Sequence, residues 1–447
     1  MNPTLRSTLP PLRRSVLALG LLALAAAAQA QNLRALHDAA RAYDATYLAA
    51  RSQAESVQFK AEQAEALNRP SLGFQAEAKQ VGADTPLGGS RNGRVISGGL
   101  NATQSLYNAA NSATVDKARR SLAVAQADLA IAEQDLILRV SQAYFDVLAA
   151  QDALATAEAN KKGISEQLAS AKRNFEVGTA TITDTREAQA KFDLVSAQVL
   201  AAQNDLQTKR AALDQLVGQK GVTPLPLRQV TALRSTSSGS LDDWLAQVEK
   251  SPTVSKAQAG LDVAKLETRR TEAGHQPTLD LNGSLGVANN QGKYAMSSLG
   301  GEGTARSHSV GVILKWPLYT GGAIQSQVSE ALKLEDKARN DLENARRSLT
   351  LGTRQAYLGL ESGKSRVAAL EAAESSSKLA LEATQLGYKV GVRVNLDVLN
   401  AQTQLFSTQA ELAKARYDLL VTSLKLRQAA GSLSAADLDP IDALLKP

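Results

Sequence analysis

The chain has 447 residues and no cysteine, with 50 Lys and Arg against 44 Asp and Glu, and 4% aromatic residues. Without cysteine, disulfides, thiol catalysis and cysteine-ligated metals are excluded. The nearly balanced, interspersed charges disfavour nucleic-acid binding. A composition poor in large apolar side chains suits long helices packed through small residues better than an ordinary globular core.

The N-terminal segment 1–30 has the pattern of a secretory signal peptide. Three arginines precede an apolar run over residues 15–28, and Ala-Gln-Ala at 28–30 is typical of a cleavage site. The mature chain is then predicted to begin at Gln31. The alternative is a short membrane anchor, although the run is shorter than the ~20 residues of a spanning helix.

An internal repeat organises the rest of the chain. Asn-Phe-Glu-Val-Gly at 174–178 recurs as Gly-Tyr-Lys-Val-Gly at 387–391, and the same shift pairs Ala-Tyr at 143–144 with Ala-Tyr at 356–357. A constant shift over several motifs indicates a tandem duplication. The predicted segments are a first repeat at 31–217, a linker rich in Pro and Ser at 218–240, a second repeat at 241–436 and a C-terminal tail at 437–447.

In chain order, each repeat begins with helical periodicity, passes through two strands and ends in a helical hairpin. Residues 33–68 are predicted to be helical. Long helices are predicted at about 109–175 and 184–217, then at about 322–388 and 397–430. No proline interrupts the run at 109–175, which would span about 100 Å as a helix. Rods of this length indicate coiled coil.

Four segments alternate apolar and polar residues with period two: about 71–81, 94–106, 278–288 and 307–318. This pattern is typical of transmembrane strands. For each segment taken alone, a soluble hairpin with one solvent-exposed face explains the pattern equally well. The export signal favours the membrane. Since four strands cannot close a barrel around a passage, several protomers would have to pool their strands. Tyr107, Trp316 and Tyr319 lie at strand ends, where an aromatic belt would be.

Nothing in the sequence indicates an enzyme. His37, His275 and His308 are far apart, with no carboxylate at metal-ligand spacing, and each is predicted to be a surface residue. A structural coiled-coil protein, such as a periplasmic adaptor or envelope tether, is the other alternative. It explains the rods but leaves the four strands without a purpose.

The segments at 100–107, 143–148 and 388–402, in this order and duplication, resemble the TolC-like outer-membrane efflux and type I secretion channels. The resemblance implies a mainly α fold with a β-barrel part: a homotrimer with a 12-stranded barrel in outer-membrane lipid and an α-helical tunnel in the periplasm. It implies a passive exit duct, gated at its periplasmic end, that works with a periplasmic adaptor (membrane fusion) protein and an inner-membrane transporter. No cofactor, metal or nucleic acid is expected.

The same resemblance implies roles for residues at the two hairpin turns. It implies a gate formed by Thr183, Asp184, Tyr388 and Arg393; a cation-selective constriction at Asp397 and Asn400; and adaptor docking at Val177, Gly178, Thr179, Val390, Gly391 and Val392. This chain has Asn400 where members of the family can have an aspartate, so strong divalent-cation block is not expected.

Local chemistry offers alternatives for these residues. Asp184 with Glu187 has capping-box spacing, and Gly178 and Gly391 suit the left-handed position that ends a helix. Arg393 could be a solvated turn residue.

Overall fold

A computed structural model describes residues 31–86, 89–227, 239–292 and 302–445. The predicted signal peptide lies outside these residues, as does the part of the predicted linker at 228–238. The elements are α1 (Leu33–Tyr43), α2 (Ala45–Glu65), β1 (Ser71–Thr85), β2 (Gly89–Tyr107), α3 (Ala109–Glu176), α4 (Ile182–Val217), α5 (Leu241–Gln247), α6 (Pro252–Glu272), β3 (Thr278–Gly292), β4 (Gly303–Lys315), α7 (Ala323–Lys389), α8 (Asn395–Ala429) and α9 (Asp439–Asp442).

The segment predicted to be helical, 33–68, contains two helices, α1 and α2, with a break at Asp44. The chain is extended at Asp44, and α2 begins with Asp44 as its N-cap, because this carboxylate accepts the backbone N–H of Tyr47 at 2.7 Å. Aspartate stabilises a helix start better than a helix interior. Arg139 of α3 also donates to the two carboxylate oxygens, at 2.9 and 3.0 Å, so a contact distant in sequence supports the break.

The four strands form one antiparallel sheet in the order β1-β2-β3-β4. The strand predicted at about 307–318 is β4, which spans Gly303–Lys315. Pro317 follows two residues later, and proline cannot donate a ladder hydrogen bond. The hairpin strands β1 and β2 are longer than predicted and reach Thr85 and Gly89.

The register separates an apolar face of the sheet from a polar one. Leu72, Ala102, Gly283 and Val310 are aligned in one row across the four strands. Leu72 is 74% exposed and Val310 is 83% exposed. On the opposite face, polar side chains bond to each other between strands, with 3.1 Å from Thr103 to Asn282 and 2.8 Å between Ser284 and Ser309. One uncovered apolar face and one polar face are what transmembrane strands require.

Two of the three aromatic residues predicted at strand ends hydrogen-bond to the turn that precedes β3. The Tyr107 hydroxyl donates to the Gln276 amide oxygen at 2.9 Å, and the Trp316 indole donates to the His275 carbonyl at 3.1 Å. Tyr319 is 90% exposed.

Segments distant in sequence meet in one compact unit, whose described residues are 31–49, 131–227, 239–251 and 348–445. Gln31 forms a parallel bridge with Pro224 of the linker, and Leu227 forms an antiparallel bridge with Leu445. The segment predicted as a C-terminal tail contains α9, and the Asp442 carboxylate accepts the first backbone N–H groups of α1 at 2.9 and 3.0 Å.

Aromatic residues of α3 and α8 form the centre of this unit. Tyr144 is fully buried, and its hydroxyl donates to the Leu225 carbonyl at 2.9 Å. Phe145 contacts the Tyr144 ring edge-on and stacks on Tyr417 of α8. The Tyr417 hydroxyl donates to Asp152 at 2.6 Å, and burial raises the pKa of Tyr417.

The prediction that all three histidines are surface residues is wrong for His37. Its side chain is 1% exposed, because the apolar face of α1 that also contains Leu33, Leu36 and Ala40 is buried. Burial lowers the pKa of His37, although its Nδ1 lies 3.3 Å from Asp38. His275 and His308 are exposed, as predicted.

No helix among the described residues is both long and apolar enough to cross a membrane.

Candidate functional site at the hairpin tips

The two helical hairpins end in turns with the same hydrogen-bond pattern. After α3, the carbonyl of Asn174 accepts the N–H groups of Thr179 and Ala180, at 2.8 and 3.2 Å. After α7, the carbonyl of Gly387 accepts those of Val392 and Arg393, at 2.9 and 3.1 Å. The sequence duplication is therefore also a duplication of backbone geometry.

Each turn contains a glycine in the left-handed region, as the sequence predicted. Gly178 has φ = 77° and Gly391 has φ = 81°. These are the residues that follow a helix C-terminus, where a Cβ would be strained. Glycine here keeps the turn short and the following helix close to the preceding one.

Helix α4 begins at Ile182, two residues before its predicted start at residue 184. The predicted Asp184–Glu187 capping box is wrong: Thr181 is the N-cap and Asp184 is the third helical residue. The Thr181 hydroxyl accepts the Asp184 N–H at 3.2 Å, and the Asp184 carboxylate accepts the Thr181 N–H at 2.9 Å. Thr-x-x-Asp satisfies both donors reciprocally, whereas Asp184 as N-cap would leave Thr181 unused.

The corresponding start of α8 has no side-chain cap. Its N-cap is Val394, and Asp397 of the first turn lies 3.6 Å from Arg393. Both side chains are substantially exposed, so this ion pair contributes little stability and can exchange partners. Asn400, one turn further on, is exposed.

Of the four predicted gate residues, Tyr388 contacts the other hairpin tip within one chain. Tyr388 accepts a hydrogen bond from the Asn174 side-chain amide at 3.3 Å, which joins the tips of the two repeats. Thr183 is exposed on the first turn of α4. Among the described residues, no ion pair joins Asp184 to Arg393, because Asp184 binds Thr181 and Arg393 binds Asp397.

Sequence reasoning missed Asn174 and Thr181, which contact the predicted gate residues Tyr388 and Asp184. Thr181 could have been found, because Thr-x-x-Asp at 181–184 is itself a capping-box pattern. Asn174 gives no such signal, since its partner Tyr388 is 214 residues away.

The predicted docking residues form an exposed apolar surface on both turns. Val177 is 72% exposed, Val390 65% and Val392 78%. Ile182 and Val394 beside them are also exposed. Clusters of exposed apolar side chains mark interaction sites more often than chance.

Comparison with solved structures identifies the class of fold. The outer membrane protein VceC from Vibrio cholerae superposes with a TM-score of 0.75 at 20% identity, covering 89% of this chain and 96% of that one. CusC superposes with a TM-score of 0.78 at 17% identity, covering 90% and 92%. Long helices joined to a four-stranded sheet are therefore the fold of outer-membrane channel protomers.

The chain belongs to the outer membrane efflux protein family, whose model matches residues 36–219 and 246–432. It is 34% identical to the outer membrane protein TolC of Vibrio cholerae over 95% of this chain and 96% of the relative. It is 30% identical to TolC of Escherichia coli over 97% and 89%. The family model therefore matches the chain over two separate ranges.

These matches confirm the predicted resemblance, fold class, function and location. The protein is an outer-membrane channel of the efflux and type I secretion class and extends into the periplasm. The family and these relatives are channel proteins rather than enzymes. Channels of this family function with adaptor proteins and inner-membrane transporters.

Proposed function

We propose that three copies of this chain form one passive exit duct, gated at the hairpin tips and opened by an inner-membrane transporter through a periplasmic adaptor. The observation that carries the gate is the pairing of the two tips. An acid, Asp184, and a base, Arg393, lie on turns that Asn174 and Tyr388 already link within one chain.

The sheet supports the assembly. Within the described residues, β1 and β4 each pair with one neighbour, so each leaves one edge open. Long open edges with apolar side chains are prone to uncontrolled pairing unless a partner covers them. In a ring of identical chains, β4 of one copy pairs with β1 of the next, and closed symmetry removes every edge. Three copies supply 12 strands, the number that the family resemblance implies.

Closing of the proposed gate replaces weak polar contacts within one chain by weak polar contacts between neighbouring chains. In the single chain Arg393 binds Asp397, and Asp184 binds Thr181. In the closed trimer we expect Arg393 to contact Thr183 and Asp184 of the neighbouring copy, with Tyr388 between the two repeats. An exposed ion pair such as Arg393 with Asp397 contributes less than about 1 kcal/mol, so an adaptor can separate contacts of this kind.

Asp397 and Asn400 form the proposed constriction. Three copies of Asp397 around an axis place three carboxylates in a narrow passage, which attracts cations and excludes anions. Asn400 adds no charge, so we expect modest affinity for divalent cations. Val177, Gly178 and Thr179, with Val390, Gly391 and Val392, form the proposed adaptor surface.

Single-channel conductance in planar bilayers tests this proposal. The variant Asp184→Ala with Arg393→Ser removes the proposed inter-tip pair and is expected to raise the conductance while the trimer persists. Thr181→Ala is the matched control, because it weakens the start of α4 and keeps both charges.

The outcomes separate the parts of the proposal. An unchanged conductance in the double variant refutes the gate. If Thr181→Ala raises the conductance equally, the opening results from fraying at the start of α4 and not from loss of the pair between Asp184 and Arg393. Absence of current from inserted, confirmed trimers refutes the duct and favours the adaptor or tether alternative.

A further inference from the structure

Gly163 lies in the interior of α3, where glycine is a poor helix former. Its environment explains the choice. A Cβ built on Gly163 would lie 2.9 Å from Gln402 Cδ, and nearer still to Gln402 Nε2. Any side chain at position 163 would therefore displace Gln402 of α8.

Gln402 is held at this contact. Its side chain is 4% exposed, and Nε2 donates to the Asn160 carbonyl at 3.3 Å, one turn before Gly163 in α3. One turn earlier in α8, Leu399 is fully buried in a cluster with Ile164, Leu168, Ala171, Ala188 and Val195 of the first repeat. A helix of the second repeat is thus seated on the hairpin of the first.

One face of α8 is buried within the chain, and roughly the opposite face carries the proposed constriction residues. At 100° per residue, Leu399 and Gln402 share one side of the helix, and Asp397 and Asn400 lie on roughly the opposite side. Burial agrees with this division: Leu399 and Gln402 are buried, whereas Asn400 is exposed and the Asp397 side chain is 39% exposed. A shift of α8 away from α3 therefore moves the two polar residues in the same direction.

We propose that the contact between Gly163 and Gln402 sets the width of the constriction by fixing the distance between α8 and α3. Gly163, Asn160 and Gln402 are positioning residues that do not touch the transported solute. The proposal rests on the constriction at Asp397 and Asn400 proposed above. It concerns contacts within one chain and is distinct from the gate contacts between chains.

The two single variants are expected to change the conductance in opposite directions, and the double variant tests whether the two positions are coupled. Gly163→Ala pushes α8 towards its Asp397 side, so the conductance is expected to fall. Gln402→Ala removes the side chain that contacts α3, and we expect a looser constriction with higher conductance. In the double variant, the alanine methyl at position 163 enters the space left by the Gln402 amide. Gly163→Ala then has no Gln402 side chain to displace, so the double variant is expected to keep the higher conductance of Gln402→Ala. Two independent effects of opposite sign would instead sum to a value between those of the single variants.

Gly352→Ala is the matched control, because Gly352 lies inside the long helix α7 and a Cβ there meets nothing within 4 Å. It reports the effect of adding a methyl group to a helix glycine without a steric contact. Single-channel conductance of purified trimers is measured for all variants, with trimer content checked on unheated gels. A role in stability alone would change trimer content and leave the conductance of intact trimers unchanged.

A conductance of Gly163→Ala equal to that of Gly352→Ala overturns the proposal, as does a double variant whose effects simply add. If Gly163→Ala does not assemble, Gln402→Ala decides: an unchanged conductance overturns the proposal. Asp397→Asn separates this test from the constriction itself. Unchanged cation selectivity in Asp397→Asn refutes the constriction at Asp397, whereas coupling between positions 163 and 402 is judged from conductance alone.

Discussion

The Asp44 carboxylate makes two stabilising contacts, and two different substitutions of Asp44 measure their contributions separately. Its carboxylate caps α2 through the Tyr47 N–H and binds both terminal nitrogens of Arg139, and its side chain is 9% exposed. Asp44→Asn keeps a cap acceptor and removes the charge. Asp44→Ala removes both.

The structure sets the expected magnitudes. Loss of an N-cap costs about 1 kcal/mol of unfolding free energy. Removing one partner of a fully buried pair costs about 3–5 kcal/mol. Arg139 is 34% exposed and keeps its 2.7 Å contact with Asp135. Removal of the Asp44 charge therefore costs less unfolding free energy here, about 1–2 kcal/mol. We expect losses of about 1–2 kcal/mol for Asp44→Asn and about 2–3 kcal/mol for Asp44→Ala.

Guanidinium unfolding followed by helical circular dichroism measures these losses, with Asp135→Asn as the control. Asp135 is an exposed partner four residues from Arg139, so its loss should cost under about 0.5 kcal/mol. Hydrogen bonds from Arg139 lower the pKa of Asp44. The stabilisation is therefore present above the ordinary carboxyl range and lost as the pH falls below about 4. Equal stability of Asp44→Asn and Asp44→Ala would refute the separation of cap and charge.

Two further predictions concern single positions. Arg270 at 2.6 Å and Lys117 at 2.8 Å lower the pKa of Glu267 to about 2. Glu267→Gln should then cost about 1 kcal/mol at neutral pH, a difference that shrinks as the pH falls from about 4.5 towards 2; a pH-independent difference in unfolding free energy would contradict this. At the tips, Gly391→Ala forces a Cβ into φ = 81° and should cost about 1–2 kcal/mol locally. Faster hydrogen exchange of the Val392 and Arg393 amides would report it, with Gly352→Ala as the unaffected control.

Much of the fold could be predicted because its signals are local. The long proline-free runs, the period-two segments and the duplicated Val-Gly turns each lie within a short stretch of sequence. The predicted ends of the long helices agree with the structure within two residues, as in α3, observed at Ala109–Glu176. Gly178 and Gly391 were recognised because a left-handed residue after a helix favours glycine.

The errors occur where two local choices compete. The segment 33–68 has helical periodicity on both sides of Asp44, so the pattern gives no sign of the break there. The contact with Arg139, 95 residues away, stabilises that break. Asp184 could cap with Thr181 or with Glu187, and the geometry of the whole turn selected Thr181. Burial of His37 depends on which elements cover α1.

The sequence by itself determined the repeats, the kinds of element and the position of the two turns, because hydrophobic period, glycine and proline act over a few residues. Only the tertiary structure decided which residues of the two repeats meet. Asn174 with Tyr388 and Gly163 with Gln402 are more than 200 residues apart, and their contacts follow from how α3, α7 and α8 pack. Such contacts have no local signature, because an asparagine near a helix end or a glycine within a helix gives the same sequence signal whether or not a distant partner lies beside it.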